Sequence, residues 1–247
     1  MKMKRILVFG SPNAGKTSML NKLIGTDSDV SKSEDGSAFK IKQYQPVIIN
    51  SVAYHFFDVD GISKTKRDKL TFTEVINNIN SLLQHSKQGF NLLIFVTRSG
   101  TINQSAKDEY SMFSDVITKH QIPILCVVTN CENFEPMSQW VVENEFLFVK
   151  NQMHFVKMVG TCFQKGGRFE KSFQPLREES AETVWNSILT TCTEQTIDFI
   201  TPYGSSSMFA MDIWKNFCTW IGNEIWTEPT PDHMQLLSQR KSNVMNN

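Results

Sequence analysis

The sequence lacks net charge, long apolar runs and a secretory leader, and each absence argues against a class of proteins. Its 25 lysines and arginines balance 25 aspartates and glutamates, whereas a protein that binds nucleic acid through bulk charge shows a basic surplus or patch. No apolar run approaches the roughly 18 residues that a membrane-spanning helix needs. The apolar part of the opening segment, MKMKRILVFGSP, has only about five residues, too few for a secretory signal. We therefore expect a cytoplasmic protein with no membrane span and no nucleic-acid partner.

Cysteines are few and poorly placed for joint chemistry. The chain has five cysteines, an odd number, and they are widely spaced and form no C-x-x-C pair. This pattern argues against both a zinc site and a disulfide framework. Cys126 lies within an apolar run and is expected to pack in the core. The 247 residues are 40% hydrophobic, which is enough to build a substantial core.

Short apolar segments alternate with longer segments of helical periodicity along most of the chain. This alternation predicts an α/β fold, a three-layer sandwich whose mostly parallel sheet carries helices on both faces. The predicted strands lie at 5–9, on both sides of a turn near Asn50–Ser51, at 91–97, at 122–129 and at 154–160. The predicted helices lie at 16–24, 70–83, 104–119, 137–150 and 178–192, and 163–176 is predicted as a loop.

The stretch GSPNAGKTS follows the first strand and precedes the first helix, and it satisfies the Walker A pattern G-x-x-x-x-G-K-[ST]. Glycines let main-chain amides approach a phosphate, and the following helix points its positive end at the anion. Lys16 is expected to bridge the β- and γ-phosphates and to stabilise transition-state charge, and Thr17 to bind Mg²⁺. A plain strand–turn–helix connection is the alternative. The predicted contacts are Gly10, Ser11, Pro12, Asn13, Ala14, Gly15, Lys16, Thr17 and Ser18.

A second motif, HFFDVDG, ends the strand that follows the first helix. Asp58 and Gly61 form D-x-x-G, in which the carboxylate holds Mg²⁺ through a water and the glycine amide senses the γ-phosphate. Asp60 is a weaker candidate for the Mg²⁺-binding carboxylate. The alternative interpretation of Asp58 is a simple acidic residue at the end of a strand, with no role in metal binding. Ile62 stands where many small GTPases place a glutamine that orients the attacking water. Intrinsic hydrolysis is therefore expected to be slow or to depend on a partner, and no catalytic residue besides Lys16 is assigned.

Two further motifs suit recognition of a guanine base. In CVVTNCEN, Thr129, Asn130 and Glu132 fall on the pattern N/T-K-x-D, and Glu132 supplies the carboxylate for the base N1–H and 2-amino group. Asn130 cannot supply the lysine stem that covers the ring, so the match is partial and an ordinary polar loop is the alternative. Thr161 and Cys162 end a later strand, where GTPases place a small pair whose backbone supports the guanine carbonyl.

These motifs, in this order, resemble the avirulence-induced-gene type G domain, which includes plant immune-associated nucleotide-binding proteins and animal GTPases of immunity-associated proteins. The resemblance covers residues 4–192, and Arg98 and Gly100 in FNLLIFVTRSGTINQSAKDEYSMF mark its most specific segment. It implies a P-loop GTPase sheet related to septins and dynamin-like proteins, GTP or GDP with Mg²⁺ as ligand, and nucleotide-dependent assembly into a homodimer or oligomer. The chain departs from the family at Phe39, where the family has a Mg²⁺-binding threonine.

Residues 193–247 fall outside the resemblance and are predicted to form an aromatic-rich helical extension with a polar tail, after a G domain at 1–192. The segment MFAMDIWKNFCTWIGNEIW is apolar around most of a helix. It is expected to pack on the G domain, to bind a partner or second copy, or to lie at a membrane surface.

The leading hypothesis is a GTP-binding switch or assembly module with weak hydrolysis. A non-hydrolysing scaffold that recruits a partner through its C-terminal helix is the second hypothesis, favoured by Phe39 and Ile62. An ATP-using P-loop enzyme is the third, left open by Asn130 and Glu132.

Overall fold

The computed structural model describes residues 1–25, 41–59 and 88–197. Several sequence-based predictions therefore lie outside the described residues. These are the helix at 70–83, the D-x-x-G glycine Gly61 with its neighbours Asp60 and Ile62, the switch position Phe39, and the C-terminal extension beyond Ile197.

A mostly parallel sheet forms the centre of the fold, as predicted. Its strands run in the order β2-β4-β1-β5-β6-β7, and β3 pairs with β4 beside β2. Strands β4, β1, β5, β6 and β7 run parallel to one another, while β2 and β3 run antiparallel to β4. The strands are β1 Lys2–Phe9, β2 Ile41–Gln43, β3 Val47–Ile49, β4 Val52–Val59, β5 Leu92–Arg98, β6 Ile124–Thr129 and β7 Lys157–Gly160.

The turn between β3 and β4 lies where the sequence predicts it. Asn50 and Ser51 have φ angles of 48° and 64°, and two consecutive residues with positive φ are typical of a tight two-residue hairpin. The hairpin places Val47 opposite Tyr54. This connection returns the chain to the sheet so that β4 runs beside β1, which brings the carboxyl ends of both strands to one edge.

Helices cover both faces of the sheet, as predicted. The helices are α1 Lys16–Ile24, α2 Gln104–Ser111 with a π-helical continuation at Met112–Ile117, α3 Gln139–Lys150 and α4 Glu170–Thr191, the last preceded by a short 3₁₀ turn at Gly167–Phe169. On one face Phe9, Phe113 and Phe148 share a buried apolar cluster. On the other face Leu20 and Ile188 belong to a second cluster. Each face of the sheet therefore has its own core.

Helix α4 corrects one prediction, because it begins at Glu170 and not near residue 178. Much of the loop predicted at 163–176 is therefore helical. Pro175 lies inside the helix, where a proline removes one backbone donor. The first turn is tied down by Glu170, whose carboxylate accepts from the Gly166 amide at 2.9 Å and pairs with Arg177. These local contacts outweigh the Gly-, Lys- and Arg-rich composition that suggested a loop.

The four described cysteines carry free thiols. Cys126 is completely buried, which confirms its expected packing role. Burial raises the pKa of Cys131 to about 11 and that of Cys192 to about 12. Within the described ranges, none of the helices combines the length and the apolar character needed to cross a bilayer.

Candidate functional site

The loop after β1 has the conformation that its glycines predict. Gly10 has φ of 139°, and a Cβ added there would overlap the carbonyl oxygen of Val96 on the neighbouring strand β5. Asn13 and Gly15 also have positive φ, at 64° and 96°. Since glycine alone adopts such angles beside a crowded backbone at low cost, the sequence of the loop determines its tight path into helix α1. The Ala14 amide closes the loop by donating to the Ser11 carbonyl at 3.1 Å.

The amino end of α1 is suited to an anion. Its N-cap is Gly15, which offers no side-chain cap, and the first turn has no acidic residue. The first amides of a helix have no acceptor within the helix, and the helix dipole adds partial positive charge there. The Ser11 Oγ atom is buried and has no hydrogen-bond partner among the described residues. Unsatisfied donors and partial positive charge are what a polyphosphate requires.

Lys16 brings a full positive charge to the same loop. Its side chain is nearly buried, with 6% of the residue exposed. The Nζ atom donates to the carbonyl of Gly10 at 2.6 Å and to that of Ser11 at 3.2 Å. An ammonium group has three donors, so one remains for a phosphate oxygen even with both of these contacts kept. The ammonium therefore lies at the phosphate loop with one donor left for an anion.

The two predicted magnesium ligands stand at the same edge of the sheet. Thr17 is exposed in the first turn of α1. Asp58 is fully buried near the carboxyl end of β4, opposite Val8 of β1. Hydroxyl and carboxylate oxygens are ligands that Mg²⁺ accepts alongside water and phosphate oxygens. The side chains present are therefore of the types that fit magnesium held jointly with a nucleotide.

The predicted base motif is hydrogen-bonded to the phosphate loop. The Thr129 hydroxyl, buried at the end of β6, donates to the Ala14 carbonyl at 2.8 Å. A Cβ added at Gly15 would lie 3.2 Å from Thr129 Cγ2, so the two motifs are also in steric contact. Ser99 continues the connection, because its hydroxyl donates to the Asn130 carbonyl at 2.7 Å. The first and third motifs are therefore one unit, although more than a hundred residues separate them.

Glu132 and the fourth motif lie next to each other. The Cys131 amide donates to the Thr161 carbonyl at 3.0 Å, and Glu132 is half-buried with its Oε2 atom shielded from solvent. Burial, and then the negative charge of Glu132, raise the pKa of Cys162. The Cys162 amide, however, donates to the Ser180 hydroxyl of α4 at 2.8 Å. In this structure that amide is held by α4 and is not directed to a base carbonyl.

A polar cavity of about 420 Å³ adjoins the phosphate loop. It lies where β5 and β6 end, the edge at which parallel α/β sheets place their ligands. Several of its residues were not predicted, although their place just after buried strands was a usable signal. Among them, Asn103 caps α2 by accepting from the Ala106 amide at 2.9 Å. The cavity is lined by Ser11, Pro12, Ala14, Thr97, Arg98, Ser99, Thr101, Asn103, Asn130, Glu132 and Asn133.

Comparison with known proteins points to GTPases. The family model described as 50S ribosome-binding GTPase matches residues 5–130. The tRNA modification GTPase MnmE of Francisella philomiragia subsp. philomiragia is 32% identical over 120 residues, which are 48% of this chain and 24% of MnmE. The chain thus spans about a quarter of that curated relative. The crystal structure of Aquifex aeolicus Era bound to GDP and aluminium fluoride has a TM-score of 0.50 at 17% identity, covering 82% of this chain and 63% of Era. At that identity the likeness to Era concerns the fold.

Proposed function

The chain belongs to the 50S ribosome-binding GTPase family, and on that premise we propose that it acts as a nucleotide-dependent switch or assembly module with slow intrinsic hydrolysis. It is a GTP-binding protein of the P-loop type, whose ligand is GTP or GDP with Mg²⁺. The observation that carries the proposal is the Thr129–Ala14 hydrogen bond of 2.8 Å, because it joins a phosphate cradle to a base-recognition loop.

Each predicted contact has a proposed role in this site. Residues 10–18 surround the phosphates, and Lys16 neutralises charge that develops on the γ-phosphate. Thr17 and Asp58 hold Mg²⁺, and Glu132 accepts from the guanine edge. Thr129 and Asn130 support that edge, and Thr161 and Cys162 border it. Gly61, which lies outside the described residues, senses the γ-phosphate.

Slow hydrolysis rests on two sequence positions. Ile62 has no polar group to orient an attacking water, and Phe39 has no oxygen to bind Mg²⁺. The same positions favour the second candidate function, a non-hydrolysing scaffold whose C-terminal segment recruits a partner. Single-turnover hydrolysis at low and high protein concentration separates the two. A rate that rises with concentration supports a self-associating switch, and no turnover at either concentration supports the scaffold.

Finer assignments rest on the resemblance and on composition. We place the chain in the avirulence-induced-gene subtype because of the segment around Arg98 and Gly100, and from this subtype follows nucleotide-dependent self-association. A cytoplasmic protein that does not bind nucleic acid is supported by the balanced charge. The G domain at 1–192 and the extension at 193–247 complete the proposal. An ATP-using enzyme remains the alternative that Asn130 and Glu132 permit, and competition of ATP against GTP tests it.

The central experiment is a titration of fluorescent GDP with Mg²⁺ against the 247-residue chain. Lys16→Ala is expected to abolish high-affinity binding, because it removes the charge inside the phosphate loop. Lys22→Ala is the matched control, since Lys22 lies at the other end of the same helix and pairs with Glu178. Unchanged GDP affinity in Lys16→Ala would reject the phosphate cradle.

A further inference from the structure

Two side-chain amides meet beside the proposed base site. The Asn130 Nδ2 atom donates to the Gln164 Oε1 atom at 3.4 Å, which links the loop after β6 to the loop after β7. The Oδ1 atom of Asn130 lies 3.2 Å from the Thr129 hydroxyl. Asn130 has φ of 62°, a left-handed conformation that asparagine tolerates better than most residues. Its side-chain amide is therefore joined to Gln164 through the Nδ2 atom.

Gln164 is itself held in place by helix α4. Its main-chain carbonyl accepts from Arg177 Nη1 at 3.1 Å, and Arg177 forms an ion pair with Glu170. The Glu170 carboxylate also accepts from the Gly166 amide at 2.9 Å. The hydrogen bond from Arg177, followed by that from Gly166, lowers the pKa of Glu170, so this network is charged at neutral pH. The early start of α4 is what supplies Glu170.

The position of the pair relative to the base motif suggests its purpose. Asn130 occupies the lysine position of N/T-K-x-D, two residues before Glu132, and Gln164 follows Cys162 by two residues. A lysine at that position would cover the ring of the base with its four-carbon stem, whereas asparagine has a single methylene. Two hydrogen-bonded amides offer a larger polar surface than the asparagine alone.

We propose that the Asn130–Gln164 amide pair covers the face of the bound base in place of the missing lysine, and that Gln164 is a base-contacting residue. This inference rests on the proposed function, because it requires a guanine nucleotide in the site. The pair is held before the ligand arrives, and a surface that is already ordered loses less side-chain entropy on binding than a free lysine stem.

The first test measures affinity for Mg²⁺-GDP and, separately, for pyrophosphate as a competitor that has no base. Gln164→Ala is expected to weaken GDP binding roughly three- to tenfold, the factor that corresponds to about one neutral hydrogen bond. Pyrophosphate affinity should not change, because the hydrogen bonds described for Gln164 go to Asn130 and Arg177 and not to the phosphate loop. Gln121→Ala, at an exposed glutamine in a different loop, should leave both affinities unchanged.

The second test introduces a lysine at position 130, where the motif N/T-K-x-D has one. In an Asn130→Lys protein the stem covers the base, so adding Gln164→Ala should cost less than twofold in GDP affinity, a non-additivity that a merely structural role would not produce. Equal costs of Gln164→Ala in both backgrounds would overturn the inference. So would GDP binding by Gln164→Ala that matches the native chain, or a parallel loss of pyrophosphate binding. If the native chain bound pyrophosphate but neither GDP nor GTP, the proposed function would fail first and the inference with it.

Discussion

Replacing Thr129 with valine removes a buried hydroxyl that joins the base motif to the phosphate loop, and it keeps the volume of the side chain. The hydroxyl donates to the Ala14 carbonyl at 2.8 Å and lies 3.2 Å from the Thr97 carbonyl. Thr129 is 3% exposed, so water does not readily replace the lost donor. Leaving a buried acceptor without its partner costs about 1–3 kcal/mol.

Two measurements follow from that figure. The free energy of unfolding in urea should fall by about 1–3 kcal/mol, and the melting temperature by roughly 2–4 °C for each kcal/mol in a chain of this size. GDP affinity should fall as well, because Ala14 lies within the phosphate loop. A loss of about tenfold would correspond to 1.4 kcal/mol. Thr129→Ser keeps the hydroxyl and should retain most of the affinity.

Thr118→Val provides the matched control. Thr118 is equally buried and its hydroxyl donates to the Ser114 carbonyl at 3.2 Å. Neither residue is among those that line the cavity, and Ser114 also accepts from the His120 amide. This variant should lose little stability and no GDP affinity. If Thr129→Val and Thr118→Val behaved alike in both assays, the reasoning that couples the two motifs through Thr129 would be refuted.

Three further predictions concern the backbone, the thiols and pH. Gly10→Ala should destabilise the chain by well over about 1 kcal/mol in thermal denaturation, because φ is 139° and the added Cβ overlaps a β5 carbonyl, whereas Gly25→Ala has open space and should cost less; equal losses would contradict this. Iodoacetamide should modify Cys131 and Cys192 slowly at pH 8, since burial raises their pKa values to about 11 and 12. Peptide mass spectrometry measures the extent of labelling over time, and rapid labelling without urea would contradict this prediction. Burial, then a nearby arginine, lowers the pKa of His55, so its neutral form stabilises the fold fully above about pH 6.5 and that contribution is lost as the pH falls through the lowered value. Urea unfolding at pH 5 and 7.5 should therefore show a smaller pH effect in His55→Gln than in the native chain.

Local features of the site could be predicted because they depend on neighbouring residues. The Walker A glycines and lysine specify both the backbone angles and the charge of the loop. The order of β1, the loop and α1 was therefore correctly predicted from this short segment. Gly25 ends α1 with φ of 75°, and Asn50–Ser51 turn the hairpin, because few other residues accept positive φ. The alternation of strands and helices likewise predicted the mostly parallel sheet.

Contacts between distant segments were not predictable in the same way. The pattern of apolar residues says that β4 and β6 are buried, but the strand order that brings Asp58 and Thr129 to the edge beside Gly15 is set by packing. The start of α4 was misjudged for a different reason, because the composition of the segment does not reveal that Glu170 accepts from the nearby Gly166 amide and pairs with Arg177. The sequence by itself determined the chemistry of the phosphate loop, through residue types and angles that act within a few bonds. Only the tertiary structure decided which side chains face it, because hydrogen bonds such as Thr129–Ala14 and Asn130–Gln164 join segments that are remote in sequence and that hydrophobic burial holds together.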